Sequence, residues 1–207
     1  MMQFALGVRD ILLAPRCAGC GEPGSWFCVP CRVQCEPVGH DGRLAIRAAG
    51  AHAGPLRAAV RRLKYGGEPG LAQDLGVLVA LELARDLARG TTLDAVVPVP
   101  LHRSRAAARG YDQAALLAHA IAAHTGLPLR PALRRIRGGR PQVELDRVAR
   151  AANIHGAFVA EAGSLRGLRV ALVDDVATTG ATLVDAAAAA RAAGARSVRA
   201  YVVAIEE

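Results

Sequence analysis

Two adjacent carboxylates are followed, within a few residues, by a turn rich in hydroxyl groups. The carboxylates are Asp174 and Asp175, which follow the apolar run LRVALV, and the turn consists of Thr178, Thr179, Gly180, Ala181 and Thr182. Hydroxyl groups and the free N–H groups at the start of a helix bind phosphate. Carboxylates repel phosphate and bind hydroxyl groups or a cation. The pattern therefore predicts a site for a diol close to a phosphate, as in a ribose 5-phosphate moiety.

The position of this pattern favours a binding site at the edge of a sheet. Ligands of open α/β sheets bind at the carboxyl ends of strands, and the helix that follows begins at Gly180. Successive side chains of a strand point to opposite faces, so we expect the strand to turn at the acidic pair and present both carboxylates to one ligand. The alternative is that the pair only caps a helix. The sequence contains no GxxxxGK[ST] motif, and no GxGxxG motif follows a predicted strand as it does in a dinucleotide-binding turn.

A second group of reactive side chains lies near the amino terminus, where all five cysteines fall between residues 17 and 35. Two CxxC pairs, Cys17 with Cys20 and Cys28 with Cys31, can supply four thiolates to a tetrahedral ion, and sulfur ligands favour a structural Zn²⁺. Cys35 could replace Cys31 or remain a free thiol. Disulfides, buried thiols and an iron–sulfur cluster are the alternatives.

These cysteines predict a small module over residues 1–40, followed by a main domain over 45–207. A module of this size buries little core, so metal binding would supply its folding free energy, with Trp26 and Phe27 as a miniature core. Residues 36–45 are interpreted as a linker.

The elements that must position the acidic pair alternate along the main domain. Apolar runs predict strands at 95–100, 168–174 and 197–205, and helical patterns predict helices at 54–67, 69–88, 111–125 and 180–193. This alternation implies an open, mainly parallel α/β sheet with helices on its faces. The segment 127–160 is less regular and rich in Gly and Arg, and we expect a flap over about 134–156.

Composition and charge narrow the classes of partner. Apolar residues make up 52% of the chain and aromatic residues only 3%, which favours helix-on-sheet packing. Residues 101–150 hold ten arginines, which indicates a phosphate partner on a small molecule or on nucleic acid, or a solvated surface. No apolar run is long enough to span a bilayer, and Arg9, Asp10 and Arg16 interrupt any signal peptide. We expect a soluble, cytoplasmic protein without a membrane partner.

Several motifs resemble those of known families. The segment VALVDDVATTGAT is similar to the fingerprint with which type I phosphoribosyltransferases bind phosphoribosyl pyrophosphate (PRPP). That segment, LKYGG, VPVPLHRSRAAARGYDQAALLA, the stretch from Gln142 to Asn153 and the CxxC pairs together resemble the ComF family of competence-associated, phosphoribosyltransferase-like proteins. The resemblance implies a type I phosphoribosyltransferase-like sheet with helices on both faces, preceded by a small zinc-ribbon-like module.

The resemblance also implies roles for individual residues. Asp174 and Asp175 would hold the ribose hydroxyls, and residues 178–182 would hold the 5-phosphate. The expected pyrophosphate side consists of Leu101, His102, Arg103, Lys64 and Tyr65, and the expected flap carries Arg140, Gln142, Arg150 and Asn153. Mg²⁺ would accompany PRPP, held mainly by the oxygens of PRPP and by water.

Two functions are compatible with these observations. The first is an enzyme, a type I phosphoribosyltransferase that transfers phosphoribosyl from PRPP to an unidentified nitrogenous acceptor. The second is a nucleic-acid accessory protein for DNA uptake and competence, recombination or repair, with a non-catalytic or PRPP-sensing domain. Its partners would be single-stranded DNA or proteins of DNA uptake or recombination. The sequence offers this second function positive charge but few aromatic residues for base stacking.

Overall fold

The helices and strands follow the alternation that the sequence predicts. The structure is a computed structural model that describes residues 14–136 and 156–206. Its strands are β1 (Val38–Asp41), β2 (Ala45–Ala51), β3 (Ala95–Pro98), β4 (Leu133–Arg135), β5 (Phe158–Ala160), β6 (Arg169–Ala177) and β7 (Ser197–Ile205). Its helices are α1 (Val29–Arg32), α2 (Gly54–Tyr65), α3 (Leu71–Ala88), α4 (Arg103–Arg109), α5 (Gln113–Thr125) and α6 (Ala181–Ala192).

Five strands form one open sheet in the order β1-β2-β7-β6-β3. Strands β2, β7, β6 and β3 run parallel, and β1 joins the edge antiparallel to β2. The predicted open, mainly parallel sheet is therefore confirmed. The linker predicted for residues 36–45 is wrong over Val38–Asp41, because this segment is the edge strand. Its polar, mostly exposed residues carry no apolar period, and its strand form depends on pairing with β2.

Helices cover both faces of the sheet, which gives two apolar layers. One layer holds α2, α3 and α5 against residues such as Ala171 and Val173 of β6. The other holds α6 against residues such as Val170 and Leu172. Because β6 is buried on both faces, its sequence is a continuous apolar run rather than an alternating one.

The cysteine segment shares the core of the main domain. Phe27 is fully buried among residues of α2 and α3, and Trp26 packs against the same cluster. The Phe27 N–H donates to Asp74 Oδ2 at 2.8 Å, and Arg32 pairs with Asp74 at 2.7 Å. The expected miniature core is therefore wrong, because Phe27 and Trp26 join the cluster of buried residues that α2 and α3 also form.

A short two-stranded ladder lies beside the main sheet. Strands β4 and β5 pair antiparallel, and Asp185 of α6 accepts the N–H groups of Gly156 and Ala157 at 2.8 and 2.9 Å. The predicted flap begins in β4, and most of it, with Arg140, Gln142, Arg150 and Asn153, lies outside the described residues. Among residues 14–136 and 156–206, no helix is both long and apolar enough to cross a membrane.

Candidate functional site

The acidic pair lies in the last part of β6, in the middle of the sheet. Pairing with β7 continues to the contact of Ala177 with Ile205, so the strand is still extended at Asp174 and Asp175. The expected turn at the pair is therefore wrong, because the ladder to β7 holds the backbone straight. The two side chains consequently point to opposite faces of the sheet.

Asp175 is held between two helices. The residue is 5% exposed, and its Oδ1 lies 2.8 Å from Lys64 Nζ at the end of α2. Gln113, the first residue of α5, donates from Nε2 to Asp175 Oδ2 at 2.8 Å. The other amide atom, Gln113 Oε1, is buried and has no hydrogen-bond partner among the residues that the structure describes. Asp175 is thus fixed in position, and the neighbouring acceptor Gln113 Oε1 lacks a donor among the described residues.

Asp174 occupies a different electrostatic environment. Desolvation of this partly buried carboxyl group, together with the negative charge of Asp175, raises its pKa well above the ordinary value. The Asp175 N–H donates to Asp174 Oδ1 at 2.8 Å and only partly offsets this effect. A hydroxyl donor or a cation at this position would stabilise the ionised carboxylate.

The threonine turn connects β6 to the start of α6. Gly180 has a φ of +71° and no side chain with which to cap the helix. The Ala181 N–H donates to Thr179 Oγ1 at 3.4 Å, and the N–H groups of the next two residues, Thr182 and Leu183, are available to an anion. A Cβ at Gly180 would be strained by this φ and would lie 3.3 Å from Ile46 Cδ1. Thr178 and Thr179 are exposed and line a cavity of about 490 Å³ together with residues of β1.

The loop after β3 forms the next part of this edge. The Leu101 N–H donates to Asp112 Oδ2 at 2.8 Å, and the His102 side chain caps α4 by accepting from the Ser104 N–H. Leu101, His102 and Arg103 line a cavity of about 460 Å³, to which β4 adds Arg134 and Arg135. The predicted pyrophosphate loop therefore lies in a strongly basic cavity.

Lys64 and Tyr65 line another cavity, of about 440 Å³, between α2 and α4. The structure does not bring these two residues into one cavity with His102 and Arg103, which were expected to share a ligand with them. Lys64 connects the cavity to the acidic pair through its contact with Asp175.

The two CxxC pairs form one compact cluster. The Sγ atoms of Cys17, Cys20, Cys28 and Cys31 all lie within 4.8 Å of one another. This set could bind a metal such as zinc, because tetrahedral zinc takes four thiolates from such a group. Cys35 is not part of the cluster, and its thiol donates to the Cys31 carbonyl at 3.5 Å.

The environment of Cys17 favours a thiolate. Burial opposes ionisation, but the N–H groups of Cys28, Cys20 and Gly19 outweigh burial and lower the pKa of Cys17 to about 6. The Cys28 and Gly19 N–H groups lie 3.3 and 3.4 Å from Cys17 Sγ. Backbone donors thus stabilise negative charge on this sulfur, as a metal ligand requires.

No protein-family model matches this sequence. Competence protein F of Haemophilus influenzae is 30% identical over 199 residues, which cover 93% of this chain and 86% of that protein. This chain belongs to the ComF family. DNA utilization protein YhgH is also 30% identical, over 191 residues in Salmonella typhimurium and 190 residues in Escherichia coli, covering 89% of this chain and 82% of each relative.

Solved structures similar to this ComF-family chain are larger proteins. Glutamine PRPP amidotransferase from B. subtilis has a TM-score of 0.43 and 27% identity, over 62% of this chain and 25% of that protein. The allosteric regulatory enzyme of purine biosynthesis has a TM-score of 0.42 and 26% identity, over 63% of this chain and 25% of that enzyme. This chain spans about a quarter of the length of each.

In this ComF-family protein, three consecutive residues at the start of α5 join segments that are distant in sequence. Tyr111 donates its hydroxyl proton to the Leu63 carbonyl, Asp112 accepts from Leu101, and Gln113 donates to Asp175. These three consecutive residues therefore tie α2, the loop after β3 and β6 together. Sequence reasoning did not identify them as site residues. Asp112 carries the signal of a helix N-cap, but nothing local indicates the distant partners.

Proposed function

We propose that this ComF-family protein binds PRPP at the carboxyl end of β6 and transfers its phosphoribosyl group to a nitrogenous acceptor. The observation that carries this proposal is the juxtaposition, along one strand end, of the Asp174 carboxyl group, with its raised pKa, and the start of α6, where Gly180 provides no side-chain cap. A carboxylate suits a ribose hydroxyl, and open helix N–H groups suit a phosphate.

The two residues of the acidic pair would have different roles. Asp174 would accept hydrogen bonds from the ribose diol, which would stabilise its charged form. Asp175, whose two oxygens already contact Lys64 and Gln113, would hold the strand end and the neighbouring side chains in place for the same diol. Residues 178–182 would bind the 5-phosphate through hydroxyl and backbone N–H groups.

Displacement at the anomeric carbon would release pyrophosphate beside the loop after β3. His102, Arg103, Arg134 and Arg135 line that cavity and would neutralise the leaving group. Mg²⁺, held mainly by PRPP oxygens and water, would add charge neutralisation. In this proposal Arg140, Gln142, Arg150 and Asn153 remain the residues of the flap.

Titration calorimetry with Mg²⁺-PRPP tests this proposal. We expect binding by the wild type, loss of binding by Asp174→Asn, and unchanged binding by Asp94→Asn, an Asp-to-Asn control at the opposite end of the sheet. A wild type that does not bind PRPP would contradict the proposal. A screen of bases for pyrophosphate release then tests transfer, and binding without release for every base would favour PRPP sensing.

We further propose that the four clustered cysteines bind a structural Zn²⁺. The support is a set of four Sγ atoms with the spacing of a tetrahedral site, which leaves no open position for a reaction. We expect Cys17→Ser to lose the bound zinc and Cys35→Ser to retain it, as measured by elemental analysis of the purified proteins. Zinc loss in Cys35→Ser would assign that residue to the site instead.

A second candidate function is nucleic-acid handling, with single-stranded DNA or proteins of DNA uptake or recombination as partners. It is favoured by the two basic cavities and by relatives named DNA utilization protein. Binding of an oligonucleotide that weakens steeply with salt would support it, and Arg134→Ala should lower the affinity. Equal affinity in wild type and variant would remove this basic cavity from the interaction.

A further inference from the structure

The cavity between α2 and α4 has a composition that the proposed PRPP chemistry does not use. Lys64, Arg105 and Arg109 line it together with Tyr65 and Tyr111, and none of its lining residues is acidic. Lys64 is already paired with Asp175, whereas Arg105 and Arg109 form no ion pair with a described residue. The cavity therefore carries positive charge that no acidic residue in its lining neutralises.

Tyr65 supplies an aromatic surface at this cavity. The residue is 75% exposed, in contrast to the fully buried Tyr201. The guanidinium carbon of Arg109 lies 5.0 Å from the centroid of the Tyr65 ring. A ring that is held by a guanidinium on one side and is otherwise exposed offers a face for a flat ligand.

Arg109 also offers a hydrogen bond that the described residues do not use. Its Nη1 atom is buried and has no hydrogen-bond partner in the described part of the chain. A buried N–H group without an acceptor is costly, and phosphate oxygens match the planar guanidinium well. An aromatic face and an unsatisfied guanidinium within one basic cavity are together the features that recognise a base and its phosphate.

We propose that this cavity binds one nucleotide of a single-stranded nucleic acid, with a base against Tyr65 and a phosphate held by Arg105 and Arg109. The proposal rests on the second candidate function and is independent of PRPP binding. A strand is favoured over a small metabolite because Tyr65 is largely exposed, whereas small-molecule sites bury most of their ligand. Lys64 would place the strand next to the acidic pair.

Fluorescence anisotropy with a labelled oligothymidylate tests the base contact. We expect Tyr65→Ala to bind about tenfold more weakly than wild type, because stacking on an aromatic ring is lost. Tyr65→Phe keeps the ring and should bind like wild type. Both variants should keep the salt dependence of wild type, since neither changes charge. Because Tyr65 is exposed, both variants should also keep the wild-type circular dichroism spectrum.

The phosphate contacts have a different signature. Arg109→Ala and Arg105→Ala should each reduce the slope of log affinity against log salt by about 0.7, the contribution of one phosphate contact on a single strand. Arg191→Ala removes the same charge from α6, on the other face of the sheet, and should change neither the slope nor the affinity.

The outcomes separate the failure of this site from the failure of the function. Wild type that binds no oligonucleotide at low salt would overturn both. Wild-type binding that is unchanged by Tyr65→Ala and by Arg109→Ala would overturn the site alone. Thymidine monophosphate that binds as tightly as the oligonucleotide, with the same dependence on Tyr65, would overturn a strand as the ligand in favour of a free nucleotide.

Discussion

Carboxylates at the two ends of the parallel sheet differ in their hydrogen-bond partners and in the direction of their pKa shifts. At the amino end, Asp94 accepts from the backbone N–H and the guanidinium of Arg169 at 2.7 to 2.8 Å, and these bonds lower its pKa to about 2. At the carboxyl end, burial and Asp175 raise the pKa of Asp174, and Gln113 Oε1 is left without a partner among the described residues.

A second carboxylate near the amino ends of β2 and β7 follows the same pattern as Asp94. Asp86 is 3% exposed, accepts from Tyr201 at 3.0 Å and lies 3.3 Å from Arg199. Asp86 and Asp94 are satisfied within the chain, whereas the ionised form of Asp174 at the carboxyl end is costly. Unsatisfied groups persist in folded proteins where a ligand completes them, at the expense of stability.

The largest effect on stability is expected at the amino end. Asp86→Ala would leave the buried Tyr201 hydroxyl without its acceptor and would remove the partner of the partly exposed Arg199. Because a buried donor left without an acceptor is costly, we expect a loss of about 2 kcal/mol. Urea denaturation would measure this loss, and PRPP binding of the folded variant should equal that of wild type. A loss of unfolding free energy below about 1 kcal/mol is typical of surface ion pairs. Such a result would show that Asp86 contributes little to stability and would contradict the contrast with Asp174.

Asp174→Asn should increase the stability of the protein, in contrast to the loss expected for Asp86→Ala. Because its pKa is raised in the folded protein, Asp174 favours folding below its unfolded pKa of about 4, and this contribution is lost as the pH rises through the raised value. The variant should therefore unfold at a higher temperature than wild type, by about 2–4 °C for each 1 kcal/mol.

The gain should be larger at about pH 9 than at about pH 5, because only the ionised carboxylate is costly in this environment. Calorimetric melting at the two pH values would measure it. Equal melting temperatures of variant and wild type at alkaline pH would show that Asp174 is not destabilising. The carboxylates at the two ends of the sheet would then not differ in their effect on stability.

Gln113→Met separates positioning from stability. The variant removes the donor to Asp175 but also removes the unsatisfied Oε1, so the free energy of unfolding should change by less than about 1 kcal/mol. PRPP affinity should still fall about tenfold, or about 1.4 kcal/mol, because Asp175 is no longer held between two donors. Gln73→Met, an exposed change on α3, serves as control, and a fall in stability without a fall in affinity would make Gln113 purely structural.

The smallest effect is expected for Asp94→Asn. A lowered pKa means that the contribution of Asp94 to stability is present above its unfolded pKa of about 4 and is lost as the pH falls toward the folded value. The variant should melt slightly below wild type at neutral pH, and the difference should shrink in acid. A difference that grows in acid would contradict the assignment of the low pKa to the pair with Arg169.

Sequence patterns predicted the parts of the fold whose signal is local. The continuous apolar run of β6 and the helical period of α3 follow from burial of neighbouring residues. Strands β1 and β2 were missed because one is polar and the other is rich in alanine, and both take their form from partners in the sheet. The four clustered cysteines could be named because CxxC spacing itself brings sulfurs together.

For this protein, the sequence alone determined β3, β6 and β7 of the main sheet, the four long helices, the cysteine set, and an acidic pair beside a hydroxyl-rich turn. All of these depend on neighbours along the chain. Only the tertiary structure decided that Asp175 contacts Lys64 and Gln113, and that Tyr65 and His102 line different cavities. Contacts between residues as far apart as Gln113 and Asp175, 62 positions, depend on how helices pack on the sheet. The hydrophobic periodicity along the chain does not predict which distant residues that packing brings into contact.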